Sequence, residues 1–212
     1  MSNVIALRPA QEPAPTLENG RVAPPRRRRN AELRSREYLE SREVTSLIAA
    51  AGRSGRYGPR DRTLCLMMFR HGLRVSEACG LRWDAVDLAA GLLHVSRLKH
   101  GVPSTHPLRG PELRALRELR RDWPNSPYLF CSERGAPLTP RTVRAIVARA
   151  GIEAGLSLPV HPHMLRHSLG FKLANAGQDT RSIQLYLGHR SITHTVRYTE
   201  LSPDRFKTFF RD

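Results

Sequence analysis

A phenol, two arginines and two histidines recur in a fixed order along this 212-residue chain, as Arg74, His163, Arg166, His189 and Tyr198. His163 and Arg166 stand three apart in His-Pro-His-Met-Leu-Arg-His, His189 follows in Leu-Gly-His-Arg, and Tyr198 comes nine residues later in Thr-Val-Arg-Tyr-Thr. Side chains of these types can attack a phosphodiester. The phenol is the nucleophile, the guanidiniums hold two non-bridging oxygens in their planar forks, and the imidazoles assist with protons and hydrogen bonds.

The composition brings in a sixth residue. The chain uses 32 arginines and three lysines, so arginine is its default cation. Lys99, in Arg97-Leu-Lys-His-Gly101, therefore stands out. An arginine stays protonated and is a poor proton donor, whereas neighbouring cations can lower the pKa of a lysine. Lys99 is the candidate acid for a leaving 5′ oxygen, although Lys172 and Lys207 show lysine also placed without such a role.

Each piece taken singly has a plainer reading. Arg74, in Gly72-Leu-Arg-Val-Ser-Glu77, could form a surface ion pair with Glu77 at i+3, or be oriented by it for work. At i and i+3, His163 and Arg166 share one helical face while Met164 and Leu165 turn into packing. His161, His163 and His167 also follow an H-x-H-x-x-x-H metal spacing, but no carboxylate lies nearby in sequence and the surroundings are cationic, so no metal and no other cofactor is expected. Tyr198 alone could be a core tyrosine; its short distance from His189 in sequence favours a shared site.

A net charge of +16 points to a polyanionic partner, most simply double-stranded DNA. Residues 1–36 hold eight arginines against three glutamates, which leaves +11 on residues 37–212, so the excess is not confined to a tail. That first segment, with five prolines and the run Arg26 to Arg29, is expected to be a flexible basic arm without regular structure. Cys65, Cys79 and Cys131 lack the spacing of a disulfide or zinc framework and read as small core residues in a reducing compartment. No apolar run nears the ~20 residues of a membrane span, and the N-terminus lacks the pattern of a secretory signal. The expected location is cytoplasmic, with no membrane partner.

The elements that would position these residues are mainly helical. Ser41 opens a helix carrying Val44, Leu47 and Ile48, and Gly52 to Gly58 breaks it. A second, mostly buried helix runs through Leu64 and Phe69 to Gly72, and a short one around Val75 to Leu81 ends at Gly80. Residues 91–98 alternate as a strand, with Ser104 to Leu108 as hairpin partner. Pro111 begins a helix, Thr139-Pro140 caps and opens another, and three shorter helices cover 163–176, 179–187 and 191–197. The expected fold class is mainly α with a small antiparallel β-sheet, in one domain over 37–212.

Taken together, Arg74, Lys99, His163, Arg166, His189 and Tyr198 resemble, in order and spacing, the tyrosine recombinase (phage-type integrase) family, over roughly residues 37–205. The wording Arg-Leu-Lys-His-Gly, Ser-Thr-His-Pro-Leu and His-Pro-His-Met-Leu-Arg-His is similar to the short recombinases that invert promoter switches in fimbrial phase variation. The resemblance implies a recombinase catalytic domain acting through a 3′-phosphotyrosine on Tyr198, with Arg74 and Arg166 on the scissile phosphate and Lys99 as general acid. His163 and His189 would support proton transfer and phosphate contact. It further implies a homo-tetramer on paired sites, DNA inversion or integration and excision as the outcome, and scope for DNA-bending accessory proteins. No counterpart of the family's separate N-terminal core-binding domain is expected before residue 37, a lack that the resemblance to the short fimbrial group also implies. The tail Leu201 to Phe210 would dock on a neighbouring protomer or on its own core. Two other classes stay open on the residues alone: a non-catalytic regulator using Thr180 to Thr199 as a helix-turn-helix, and a type IB-like topoisomerase.

Overall fold

The computed structural model describes residues 36–53, 55–97 and 101–200, and the short segments Leu17–Glu18 and Arg21–Val22. The chain divides into two units, Met1–Arg36 and Glu37–Asp212. In the first, β1 (Leu17–Glu18) pairs antiparallel with β2 (Arg21–Val22). This corrects the expectation of no regular structure there. The intervening residues in sequence are Asn19-Gly20, the dipeptide that favours two-residue hairpin loops, and its signal was masked by the surrounding proline and arginine.

The second unit is built on α1 (Ser41–Arg53), α2 (Gly58–Arg70), the short α3 (Val75–Cys79), α4 (Gly110–Asp122), α5 (Pro140–Glu153), α6 (Pro162–Asn175), α7 (Thr180–Leu187) and α8 (Thr193–Glu200). A three-stranded antiparallel sheet lies between α3 and α4, in the order β3 (Val86–Asp87), β4 (Leu92–Val95), β5 (Ser104–Pro107). The fold class is as expected. The strand β3, too short to show alternation, is an addition, and it follows a 3-10 turn at Trp83–Ala85.

α2 is the central helix, packed against α1, α4 and α6, with Leu64, Met67 and Met68 buried beside Leu47, Leu116 and Met164. All three cysteines are free and buried. The helix starts follow their sequence signals. The Thr139 hydroxyl accepts from Thr142 N at 3.1 Å with Pro140 in the first turn, and Asp179 accepts from Arg181 N and Ser182 N. No helix among the described residues is long and apolar enough to cross a membrane.

Candidate functional site

The site forms where the turn after α2 meets the C-terminal end of α7. Gly72 takes a left-handed conformation (φ +57°) that lets the chain leave α2 and enter α3 with Arg74 as the residue preceding the helix. Glu77, one turn on, accepts from the Arg74 backbone N at 2.9 Å and from its Nη1 at 2.7 Å. The expected i+3 partnership is therefore an orienting clamp rather than a loose surface pair. The Glu77 carboxylate is buried, which alone would raise its pKa. Hydrogen bonds from Arg74 and the charge of Arg97 outweigh burial and hold it below the usual range.

Arg166 reaches this turn from α6. Its Nη1 donates to the Gly72 carbonyl and its Nη2 to Leu187 O at 2.7 Å, so one buried guanidinium joins α6, the α2–α3 turn and the end of α7. Met164 and Leu165 point into the core, as the i, i+3 pattern required. His163 lies on the exposed side of the same helix, with surrounding protein, and then the Arg166 charge, lowering its pKa.

α7 ends at Gly188, again left-handed (φ +66°), with His189 N bonding back to Gln184 O at 3.0 Å. That cap turns His189 inward. Its Nδ1 meets the buried Thr195 hydroxyl of α8 at 2.9 Å, which leaves Nε2 for a further partner. Tyr198, one turn farther along α8, is only 1% exposed. Its hydroxyl meets His167 Nδ1 at 2.8 Å, its ring stacks near His189 with centroids 6.3 Å apart, and Phe171 abuts it edge-on. The ring lies so close to α6 that a Cβ on Gly170 would sit 2.7 Å from two of its carbons.

The electrostatics are one-sided. Arg74, Arg97 and Arg166 converge around Gly72, with Glu77 the anion between them. Burial, then the charges of Arg74 and Arg97, push the Arg166 pKa down to about 9. Burial followed by cationic neighbours pushes His167 and His189 down to about 3, so both rings are neutral near pH 7. Burial raises the Tyr198 phenol, while Arg166, Arg197 and Arg74 pull it the other way. A cluster this deficient in negative charge favours an anion, and a phosphate diester supplies one with two oxygens to share.

Five of the six residues singled out in the sequence are described, and the structure brings Arg74, Arg166, His189 and Tyr198 together with His163 at the rim. Lys99 lies outside the described residues, as does the tail from Leu201. The two sides of the loop holding Lys99 are described: Arg97 and Gly101 both rest against Gly188, beside His189. The histidines of the H-x-H-x-x-x-H run have separate partners, since His161 meets Glu37 at 3.1 Å and His167 meets Tyr198. α7 and α8 do follow one another across a glycine turn, but Thr195 and Tyr198 of α8 face inward.

Two residues escaped the sequence reading. In the sequence His167 reads only as a metal ligand. Arg97 was hidden among the many arginines, although it continues the inward register of Leu93 and Val95 on β4, where a charge needs a buried partner.

Comparison with known proteins gives the family and the fold. Residues 37–205 match the model of the phage integrase family. The chain is 45% identical over 181 residues to the type 1 fimbriae regulatory protein FimB of Escherichia coli strain K12, covering 83% of this chain and 90% of that one. The corresponding protein FimE is 43% identical over 177 residues, covering 81% and 89%. Among solved structures, XerA recombinase superposes with a TM-score of 0.71 at 28% identity, over 80% of this chain and 62% of that one. A lambda integrase dimer bound to a COC′ core site gives 0.63 at 25% identity, over 82% and 50%. The chain thus spans 62% of the length of the first and half of the second.

Proposed function

Because this chain belongs to the phage integrase family, whose members cut and rejoin DNA through a tyrosine, we propose that Tyr198 is its nucleophile in site-specific recombination of double-stranded DNA. The observation that carries this reading is the cationic cluster around Gly72, poorly neutralised, beside a tyrosine whose hydroxyl is already hydrogen-bonded.

Arg74 and Arg166 hold the two non-bridging oxygens of the scissile phosphate. With His167 neutral, its Nδ1 accepts the phenolic hydrogen. The negative phosphate raises the basicity of the surrounding imidazoles, so the proton can leave along that bond as the phenolic oxygen attacks phosphorus. The P–O5′ bond breaks, the 3′-phosphate stays on Tyr198, and Lys99 protonates the departing 5′ oxygen. The proximity of both ends of its loop to Gly188 supports that place for Lys99. His189 acts as a hydrogen-bonding group through Nε2 and His163 assists from the rim. The phosphotyrosine keeps the energy of the broken bond, so a 5′-hydroxyl from a second duplex reseals it without metal or nucleotide.

Two sites cut on both strands need four protomers, so the active form is a homo-tetramer on paired sites. The similarity to the fimbrial regulators favours inversion among the outcomes, with accessory DNA-bending proteins as further partners. The arm 1–36 supplies non-specific phosphate contacts, and residues 37–212 are the catalytic domain.

The test is covalent capture. The protein is incubated with a random library of nicked duplexes, and DNA that survives denaturation on the protein is sequenced. Wild type should yield a recurrent site joined at Tyr198. Tyr198→Phe should bind that site within a few-fold and form no adduct, since it loses one hydroxyl and little contact area. An adduct in Tyr198→Phe refutes the assignment. Activity on paired sites but not on one duplex separates recombination from simple relaxation.

A further inference from the structure

We infer that Arg97 is a positioning residue for the recombination chemistry, a buried guanidinium that sets Arg74, Arg166 and the His189 turn in register. The inference rests on the proposed function above.

The Arg97 side chain is 0% exposed, and its contacts lead to the elements carrying those three groups. Nη1 donates to Glu77 Oε2 at 3.0 Å, on the carboxylate whose other oxygen holds Arg74 Nη1. Nη1 also lies 3.4 Å from Gly72 O, the same carbonyl that accepts from Arg166. Nη2 donates to His71 O at 3.1 Å and to Tyr186 O at 2.7 Å, the carbonyl next to the Leu187 O that Arg166 uses. The two buried arginines thus grip adjacent carbonyls at the end of α7 and one shared carbonyl after α2. Its stem is wedged beside Gly188: a Cβ there would meet Arg97 Cγ at 2.6 Å, and one on Gly101 would meet Arg97 Cβ at 2.6 Å.

A stabilising role alone explains this poorly. A buried ion pair is weak evidence for stability, because desolvation offsets the attraction and an apolar residue of similar volume often serves as well. Among the described residues the buried Arg97 Nε also has no hydrogen-bond partner. A fork with several fixed donors can register a carboxylate and three carbonyls at once, which the single ammonium of a lysine cannot.

The experiment uses the full-length chain and the duplex recovered by covalent capture. It is made with the scissile phosphate and with each of its two methylphosphonate diastereomers, in which a methyl group replaces one non-bridging oxygen. The diastereomer on which Arg74→Ala is least impaired identifies the oxygen held by Arg74. On the ordinary phosphate, Arg97→Lys should keep DNA affinity within about twofold and slow cleavage roughly a hundredfold, as a misplaced oxygen clamp does. On at least one diastereomer the deficit should shrink to a few-fold, because the contact misdirected there, from Arg74 or from Arg166, is no longer needed. Arg97→Met is run beside it, and whichever folded variant is slowed carries the comparison. An equal deficit on all three substrates, or normal cleavage by both variants, overturns the inference. If wild type forms no adduct with the ordinary phosphate, the recombinase reading itself fails.

Discussion

Gly170→Ala opposes two effects of opposite sign, and the contact with Tyr198 decides which prevails. Gly170 lies inside α6, where alanine is normally favoured by about 0.5–1 kcal/mol. The added Cβ would sit 2.7–2.8 Å from three carbons of the Tyr198 ring, against roughly 3.5 Å for an ordinary contact. The ring must retreat by about 0.7 Å, and the 2.8 Å bond to His167 then lengthens toward the limit of hydrogen bonding. Overpacking of this kind costs about 1–3 kcal/mol and the lost hydrogen bond about 1 more, so the net change should be a loss of about 2 kcal/mol. For a domain of this size that is about 4–8 °C in Tm. The assay is a double-mutant cycle followed by thermal unfolding. In a Tyr198→Ala background the clash is gone, and Gly170→Ala should stabilise by its helical preference alone. A rise in Tm when Gly170→Ala is made in the wild-type chain, or the same effect in both backgrounds, would refute this packing of the tyrosine.

Acid should unfold the protein early. His106, His167 and His189 are each held at about 3, chiefly by burial, so between pH 6.5 and 3 the unfolded chain binds protons the folded one does not. Stability then falls with pH by about 1.4 kcal/mol per unit for each ring, with complete unfolding expected between about pH 5 and 4; a flat melting temperature from pH 7 to 4 contradicts it. Thr195→Val removes the hydroxyl that fixes His189 Nδ1 in a nearly isosteric exchange, and should slow covalent adduct formation by about tenfold with DNA affinity unchanged. Lys99→Arg should be nearly inactive on ordinary DNA despite its charge, yet recover on a substrate whose bridging 5′ oxygen is sulfur, a leaving group needing no acid. Near-normal cleavage of ordinary DNA by this variant would remove Lys99 from the acid's role.

The order of helices was legible because their ends carry local chemistry: Thr139-Pro140 and Gly188 act within a few residues of themselves. The pairing of Arg74 with Glu77 was legible for the same reason, being one helical turn. What could not be read were contacts made across long stretches of chain. The bond between His167 and Tyr198 spans 31 residues, and nothing near His167 announces a phenol. Arg97 reaches Tyr186 across 89. In a chain so rich in arginine, the residue type carried no information about burial; only the strand register did. The strand β3 was missed because two residues show no period, and it is fixed by pairing with β4 rather than by preference.

The carbonyl of Gly72 gives the site an unusual genetic property. Both buried guanidiniums are registered on an atom of the main chain, which no codon change can delete or recharge. Substitution at the position does something else: any side chain must adopt φ +57° and would press a Cβ to 2.6 Å from Leu187 Cδ2 and 3.1 Å from Leu169 Cδ2. A scan of point mutants would score Gly72 as a packing position and never register its oxygen. The acceptor becomes visible only to chemistry on the backbone, such as an ester in place of the Gly72–Leu73 amide, which weakens the carbonyl, removes the Leu73 N–H that donates to Met68 O, and leaves every side chain as it was.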